Sequence, residues 1–365
     1  MSGNDMGAHG ENTINVLIVD DSRVTREFLA HIFSEAGIKV LGTVSDGQEA
    51  IGFVRQKRPD VITMDIYMPG MNGLEATRQI MATVPVPIVI VSGNWDQTEV
   101  DTTFRAMEAG ALAVVQRPYG AGHPEHKASV QELVRTIRLM SEVRVVRRWS
   151  RSNPGKKPLS VPANIRLPVP QTGVKMERGV KLVAMGASAG GPPVLQRILS
   201  GLDADFPFPV LVVQHMAPGF MQGMLNWLGE TSRLHLRIAR EGEKMLQGSV
   251  YFAPDGFHMG VSGDNTIFLS NAGPEHGARP SVSYLFRSVG RAYGGAAAAV
   301  LLTGMGSDGA EEMRSLKEKG AITIAQDEES SAVFGMPEAA VRLGAAVLVL
   351  SPEQIIAALN GLAKR

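Results

Sequence analysis

Three residues whose types suit acyl transfer stand at the ends of three apolar runs. They are Ser188 in KLVAMGASAGGPP, His215 in VLVVQHM and Asp308 in AAAAVLLTGMGSDGA. A serine becomes a nucleophile when a base takes its proton, and the base works best when a buried acid fixes its tautomer. Residues 186–190 read G-x-S-x-G, between an apolar strand-like run and a helical segment. There, small neighbours allow a strained turn that lifts the serine side chain, and a helix start favours developing negative charge. A phosphate-binding loop fits worse. G-x-G-x-x-G would need glycine where Ser188 stands, and G-K-[ST] is absent. The chain order Ser, His, Asp differs from the Ser, Asp, His of α/β-hydrolases, so the same chemistry would sit on another topology. Each residue alone has an ordinary alternative. Ser188 is equally a small-residue turn, His215 a hydrogen-bonded structural histidine, and Asp308 the N-cap of a helix over GAEEMRSLKEKG. Of the other histidines, His258 and His276 would line a cleft but end no apolar strand. The acids Asp327, Glu328 and Glu329 are adjacent and point apart, which suits a polar rim or loop brace.

A second constellation lies in the first half. Asp20 and Asp21 close the run INVLIVDD, Asp65 closes VITMD, and Ser92 closes VPIVIVS. Carboxylates gathered at one sheet edge repel and resist desolvation, so they invite a hard cation. Mg²⁺ takes oxygen ligands and usually keeps water or phosphate oxygens. An aspartate beside it can attack a phosphoryl group.

These residues need strands to hold them. Residues 14–119 alternate apolar runs with helical segments, and one segment places Val24, Phe28, Leu29, Ile32 and Phe33 on one face before Gly37. Such alternation predicts parallel strands in a doubly wound α/β domain, closed by a helix over about 127–146. A Pro-rich, basic stretch then reads as a solvated linker (147–178), with Arg147, Arg148, Lys156 and Lys157. A second α/β alternation starts near 179. The expected organisation is a tail (1–13), a first domain (14–146), the linker and a second domain (179–365). The 365 residues have 44% hydrophobic content, no net charge and no cysteine. Thiolate chemistry is excluded, and nothing suggests broad attraction to nucleic acid or membrane. The polar start and the absence of a spanning apolar run predict a cytoplasmic protein.

Residues 14–140 resemble the receiver domain of two-component response regulators, through Asp20-Asp21, Asp65 followed by IYMPGMNG, Ser92, and a basic residue before Pro118. The resemblance implies a flavodoxin-like fold and phosphorylation of Asp65 by a histidine kinase. It further implies Mg²⁺ served by Asp20, Asp21, Asp65 and the Tyr67 carbonyl, and phosphoryl sensing by Ser92 and Arg117. Two positions depart from that family: Arg117 replaces the usual lysine, a non-conservative change at a tight site, and Val114 replaces the usual aromatic switch residue. Residues 179–362 resemble the CheB-type catalytic domain of chemotaxis protein-glutamate methylesterases, through MGASAGG, VVQHM, YFAPDGFHM, RPSVSYLFRS, LLTGMGSDGA and AQDEESSAVFGMPEAA. This implies a Rossmann-like domain with Ser188 as nucleophile, His215 as base then acid, Asp308 as orienting acid and the Met305 backbone N–H on the oxyanion. Ala189 stands where that family commonly has a hydroxyl residue, which predicts slower chemistry. The implied substrates are glutamate γ-methyl esters and specific glutamines on chemoreceptors, hydrolysed without a cofactor by a monomer. The serine is expected in an open groove that the unphosphorylated receiver blocks. A phospho-regulated adaptor without turnover is the alternative, kept open by Ala189 and Arg117.

Overall fold

The computed structural model describes residues 13–93, 97–143, 145 and 179–363, and of 97–101 the helical backbone only. The expected tail up to residue 12 and all of the linker (147–178), with its basic residues, lie outside these. The first domain runs β1 (Asn15–Val19), α1 (Arg23–Glu35), β2 (Lys39–Val44), α2 (Gly47–Gln56), β3 (Val61–Met64), α3 (Gly73–Thr83), β4 (Ile88–Ser92), α4 (Gln97–Glu108), β5 (Ala113–Gln116) and α5 (His126–Ser141). Its sheet is parallel throughout, in the order β2-β1-β3-β4-β5. That order is the flavodoxin-like doubly wound arrangement. β1, β3 and β4 are wholly or almost wholly buried, as a sheet covered on both faces requires. The last helix ends at Ser141, a turn earlier than its apolar pattern suggested.

The second domain runs β6 (Leu182–Ala187), α6 (Gly191–Gly201), β7 (Val210–Gln214), α7 (Met221–Gly229), β8 (His235–Ile238), β9 (Ser249–Phe252), β10 (His258–Val261), β11 (Ile267–Ser270), α8 (Val282–Ala292), β12 (Ala297–Leu301), α9 (Ala310–Glu318), β13 (Ile322–Gln326), α10 (Met336–Arg342), β14 (Leu348–Leu350) and α11 (Pro352–Ala363). Seven parallel strands order as β14-β13-β12-β6-β7-β9-β8, and β10 and β11 form a separate antiparallel hairpin. From β6 the chain winds one way through β7 and β9, then returns to β12 and winds the other way. The switch in strand order therefore falls at β6, where open α/β sheets bind their ligands. Both domains are the α/β parallel-sheet type that the alternation predicted.

The domains share buried surface. Phe104 of α4 stacks on Trp227 of α7, with ring centroids 5.2 Å apart and planes at 18°. The Gly190 N–H donates to the Leu112 carbonyl at 3.1 Å. Ala189 and Val333 lie in one buried cluster with Leu133, Ile137 and Met140 of α5.

Gly186 shows how tightly the central strand is held. A methyl group there would come within 2.6 Å of Val282 Cγ2 and 3.1 Å of Leu301 Cδ1. Overpacking of this kind costs about 1–3 kcal/mol. Gly186→Ala is expected to lower the urea midpoint of the second domain, and adding Val282→Ala to recover part of the loss.

Candidate active site and phosphoryl-acceptor site

Ser188, His215 and Asp308 follow three strands that are neighbours in the sheet: Ser188 lies one residue beyond β6, His215 one beyond β7, and Asp308 in the turn after β12. The elbow differs from the strained turn expected at the serine. Ser188 has no positive φ; the left-handed residue is Gly190, at φ 72°. The turn is braced by hydrogen bonds instead. The Ser188 N–H donates to the Thr303 carbonyl at 3.0 Å, and the Gly191 N–H to the Ser188 carbonyl at 2.8 Å. The buried Gln214 amide donates to the Ser188 and His215 carbonyls, both at 2.8 Å, so one side chain ties nucleophile and base together. Gly191 is required beside it, because a Cβ there would collide with Gln214 Oε1. Thr303, wholly buried, donates from Oγ1 to the Ala189 carbonyl at 3.0 Å.

Asp308 is 3% exposed and accepts four hydrogen bonds. His215 Nε2 lies 3.0 Å from Oδ2, where the Val282 N–H also donates at 2.7 Å. Oδ1 accepts from Ser281 Oγ at 2.9 Å and from the Ser283 N–H at 2.8 Å. Burial pushes this carboxyl's pKa up, but the His215 hydrogen bond and charge and the Ser283 bonds outweigh it and hold it well below the usual range. It stays ionised at neutral pH. Its stabilising contribution is complete above the ordinary carboxylate range, begins to be lost there, and is gone only once pH has fallen through the lower folded-state pKa. Asp308 does not cap the helix that follows it: the N-cap of α9 is Gly309, with no side-chain bond. Its carboxylate sits instead against the first N–H groups of α8, where a negative charge is favoured. Because Nε2 faces the carboxylate, Nδ1 is the imidazole nitrogen left to accept the serine proton. Among the described residues no hydrogen bond joins Ser188 Oγ to the ring, a common state of catalytic pairs without substrate.

A further residue supports Asp308 from behind. His258 is wholly buried; its Nδ1 accepts the Ser281 N–H at 3.2 Å, and its Nε2 lies 2.9 Å from the Gly273 carbonyl. Sequence reading had His258 and His276 lining a cleft; His276 lines the Ser188 cavity, whereas His258 is buried and opens the hairpin at the start of β10. Gln214, Thr303 and Ser281 were missed altogether, although a glutamine closing the apolar run VLVVQ was a visible signal. Met305 lies beside the site, and its N–H makes no hydrogen bond among the described residues. Asp327 braces its own loop, accepting the Ser330 N–H at 3.0 Å. Ser188, His215 and Asp308 line a half-open cavity of about 430 Å³, whose lining also includes Leu112, Arg135 and Met140 of the first domain.

At the first domain's sheet edge, oxygens of Asp20, Asp21 and Asp65 all lie within 4.8 Å of one another. Asp20 and Asp65 are buried and Asp21 is exposed. An all-carboxylate cluster of this spacing fits a hard divalent cation. Burial and the Asp20 charge raise Asp65 to about 6, against the opposing pull of Arg117 and the Ile66 and Tyr67 N–H groups. Burial also raises Asp20, again opposed by Arg117. Arg117 Nη2 lies 3.3 Å from Asp20 Oδ2 and 3.5 Å from Asp65 Oδ2. Ser92 is buried at the end of β4, and Tyr67 lies two residues beyond Asp65 with its hydroxyl 3.1 Å from Thr102 Oγ1. Val114 is buried in the core.

A family model described as CheB methylesterase matches residues 183–359, and one described as response regulator receiver domain matches 16–126. A Nitrosospira multiformis protein named protein-glutamate methylesterase/protein-glutamine glutaminase is 55% identical over 350 residues, 96% of this chain and 97% of that one. A Geobacter metallireducens protein with the same name, numbered 4, is 53% identical over 353 residues, covering 96% of this chain and 99% of its own. The crystal structure of the Thermotoga maritima CheB methylesterase catalytic domain is 37% identical, with a TM-score of 0.49, over 50% of this chain and 99% of that chain.

Two outcomes are expected from this geometry. Asp308→Asn removes the charge that holds the imidazole and presents N–H where N–H already points. kcat should fall by on the order of 10⁴ in an ester-hydrolysis assay. Asp65 binds its proton more tightly folded than unfolded, so in Mg²⁺-free buffer receiver stability should fall as pH rises from about 4 to 6. Asp65's share of the loss is at most about 3 kcal/mol, and the loss should be smaller by that share in Asp65→Asn, as chemical denaturation at each pH would show.

Proposed function

The chain belongs to the CheB methylesterase family and carries a receiver domain in front of the enzyme; on that premise we propose that Ser188, His215 and Asp308 hydrolyse glutamate γ-methyl esters, and deamidate specific glutamine side chains, on chemoreceptors under control of phosphorylation at Asp65. The observation that carries the reading is the convergence of the three residues at the ends of adjacent central strands, with Asp308 buried, charged and hydrogen-bonded to His215 Nε2.

In the proposed reaction His215 Nδ1 takes the Ser188 proton as Oγ bonds to the ester carbonyl carbon. The carbonyl oxygen becomes an oxyanion, for which the Met305 N–H is the proposed donor. The C–O bond to the methoxy group then breaks, and His215 returns its proton so that methanol leaves. Water, deprotonated by His215, attacks the acyl-serine. The Ser188 C–O bond breaks, Oγ regains a proton, and a glutamate remains. For a glutamine the leaving group is ammonia. Asp308 does not take the proton; it holds the ring and stabilises the imidazolium. Ala189 supplies no side-chain donor, so oxyanion stabilisation falls to backbone N–H groups, one of which is typically worth about 10²–10³ in rate.

Asp65 is the proposed phosphoryl acceptor. Its carboxylate oxygen bonds to phosphorus as the donor's bond to phosphorus breaks, the donor being the phosphohistidine of a chemosensory kinase. Asp20, Asp21, Asp65 and the Tyr67 carbonyl would hold Mg²⁺, which when bound offsets negative charge on the transferring phosphoryl group. Ser92 and Arg117 are the proposed contacts for that group. First-domain residues lining the Ser188 cavity support a gating role: in this reading they obstruct a receptor helix, and phosphorylation would shift the population toward an arrangement that admits it. No described helix is long and apolar enough to cross a membrane.

The test is methanol release from methylated receptor membranes, with Ser188→Ala as the blank. Release by the wild-type chain should rise with a small-molecule phosphodonor and Mg²⁺, and Asp65→Asn should abolish the rise. Release that ignores the donor would remove the gating. No release above the blank would turn the reading to the adaptor.

A further inference from the structure

Gly93, directly after β4, is not glycine for its backbone. It is absent from the residues with positive φ, so an alanine would meet no conformational penalty there. What an added Cβ would meet is Arg117: Nη1 at 2.9 Å, Cζ at 3.0 Å and Nη2 at 3.4 Å. All three are atoms of the flat guanidinium, which therefore lies against the bare Cα. Of that group, Nη2 reaches the acids, 3.3 Å from Asp20 Oδ2 and 3.5 Å from Asp65 Oδ2. In a guanidinium the Nε–H and the Nη2–H run parallel on one edge, the two-pronged edge that matches a pair of carboxylate or phosphate oxygens. Arg117 Nε is buried and has no hydrogen-bond partner among the described residues. A buried N–H left unpaired is costly, and such a group calls for an explanation.

We propose that Gly93 is the positioning partner of Arg117: its missing side chain lets the guanidinium lie edge-on to Asp65, and that edge grips the phosphoryl group through two parallel hydrogen bonds, Nη2–H and Nε–H, where a lysine would give a single charged contact. Before transfer the Nη2 prong is occupied by Asp20 and Asp65. A phosphoryl group on Asp65 supplies oxygens for both prongs, and Nε gains the acceptor it lacks. The arginine at this position and the glycine at 93 are thus one coupled feature. With alanine at 93 the guanidinium must shift by about a few tenths of an ångström, which in this proposal takes its edge off the acids, whereas a lysine, which has no planar head to seat, tolerates the methyl group.

This rests on the reading of Asp65 as phosphoryl acceptor, and the experiment separates the two. Full-length wild type, Gly93→Ala, Arg117→Lys and the double variant are mixed with acetyl phosphate and Mg²⁺. The acyl-phosphate fraction is followed by intact mass, with Asp65→Asn as the blank and acetate as the other product. Gly93→Ala should lower the initial rate about tenfold or more, and Arg117→Lys alone should lower it less. The double variant should be faster than Gly93→Ala alone, a reversal that independent effects cannot give. A Gly93→Ala rate within about twofold of wild type, or a double variant no faster than Gly93→Ala, overturns the coupling, and so does a misfolded Gly93→Ala that Arg117→Lys fails to rescue. A wild-type chain that is folded yet never gains the phosphoryl mass overturns the acceptor reading and this inference with it.

Discussion

One buried charge organises the catalytic domain. Asp308 is almost wholly removed from water, a placement that strongly disfavours a carboxylate unless its oxygens are satisfied. Here they accept from the His215 ring, the Ser281 hydroxyl and the Val282 and Ser283 backbone N–H groups. The last two are free donors at the start of α8, so the helix gains a counter-charge and the carboxylate gains fixed dipoles. The imidazole is held by its Nε2 as a consequence, and the tautomer with a free Nδ1 follows from that contact. His258 extends the chain inward by accepting the Ser281 N–H. Removing one member would leave another buried polar group unpaired, which is why such networks specify one geometry.

The nucleophile is held by different means. Its turn is held by hydrogen bonds to the two neighbouring strands, the Ser188 N–H donating to the Thr303 carbonyl and the Gln214 side-chain amide donating to the Ser188 carbonyl. Close packing does the rest. Gly304 faces the serine so closely that an added Cβ would come within 2.6 Å of Ser188 Cβ. Small residues around Ser188 are thus there for approach distance. The left-handed geometry falls to Gly190, where it costs least.

The sequence made the sheets legible because both domains bury their strands on two faces. Runs such as VLVVQ and VLIV carry that burial in their composition, and charged or catalytic residues stand where the runs stop. The proximity of Ser188, His215 and Asp308 was not contained in the runs themselves. It depends on the strand order β12-β6-β7, which no local pattern encodes; the shared strand-end placement suggested the grouping, and the family resemblance made it specific. The supporting residues were harder still. Gln214 and Thr303 act through carbonyl groups, and His258 acts through Ser281, so neither residue type nor spacing announces them. The aspartate also had a competing role as cap of α9. The structure gives that cap to Gly309 and turns the carboxylate toward α8, a choice set by tertiary packing.

The two candidate sites are joined through the elements that flank the phosphoryl acceptor. Ser92 ends β4, and the helix that follows carries Phe104 onto Trp227. Arg117 follows β5, and the residue just before that strand, Leu112, accepts the Gly190 N–H beside the nucleophile. In the proposed gating, movement of Ser92 or Arg117 toward a phosphoryl group would act through these contacts on segments that line the Ser188 cavity. The energetics are of a fitting size. Moving an equilibrium from about 1:99 to 99:1 takes on the order of 5.5 kcal/mol of differential binding. A hydrogen bond to a charged group is worth about 1.5–3 kcal/mol. Two prongs from Arg117 and one from Ser92 would span that range, provided they form only in the open arrangement. The resting contacts of Arg117 with Asp20 and Asp65 oppose the change until the phosphoryl oxygens replace them. In the gating proposed for this chain, the competition for one guanidinium edge sets how far the receiver must be phosphorylated before the serine is uncovered.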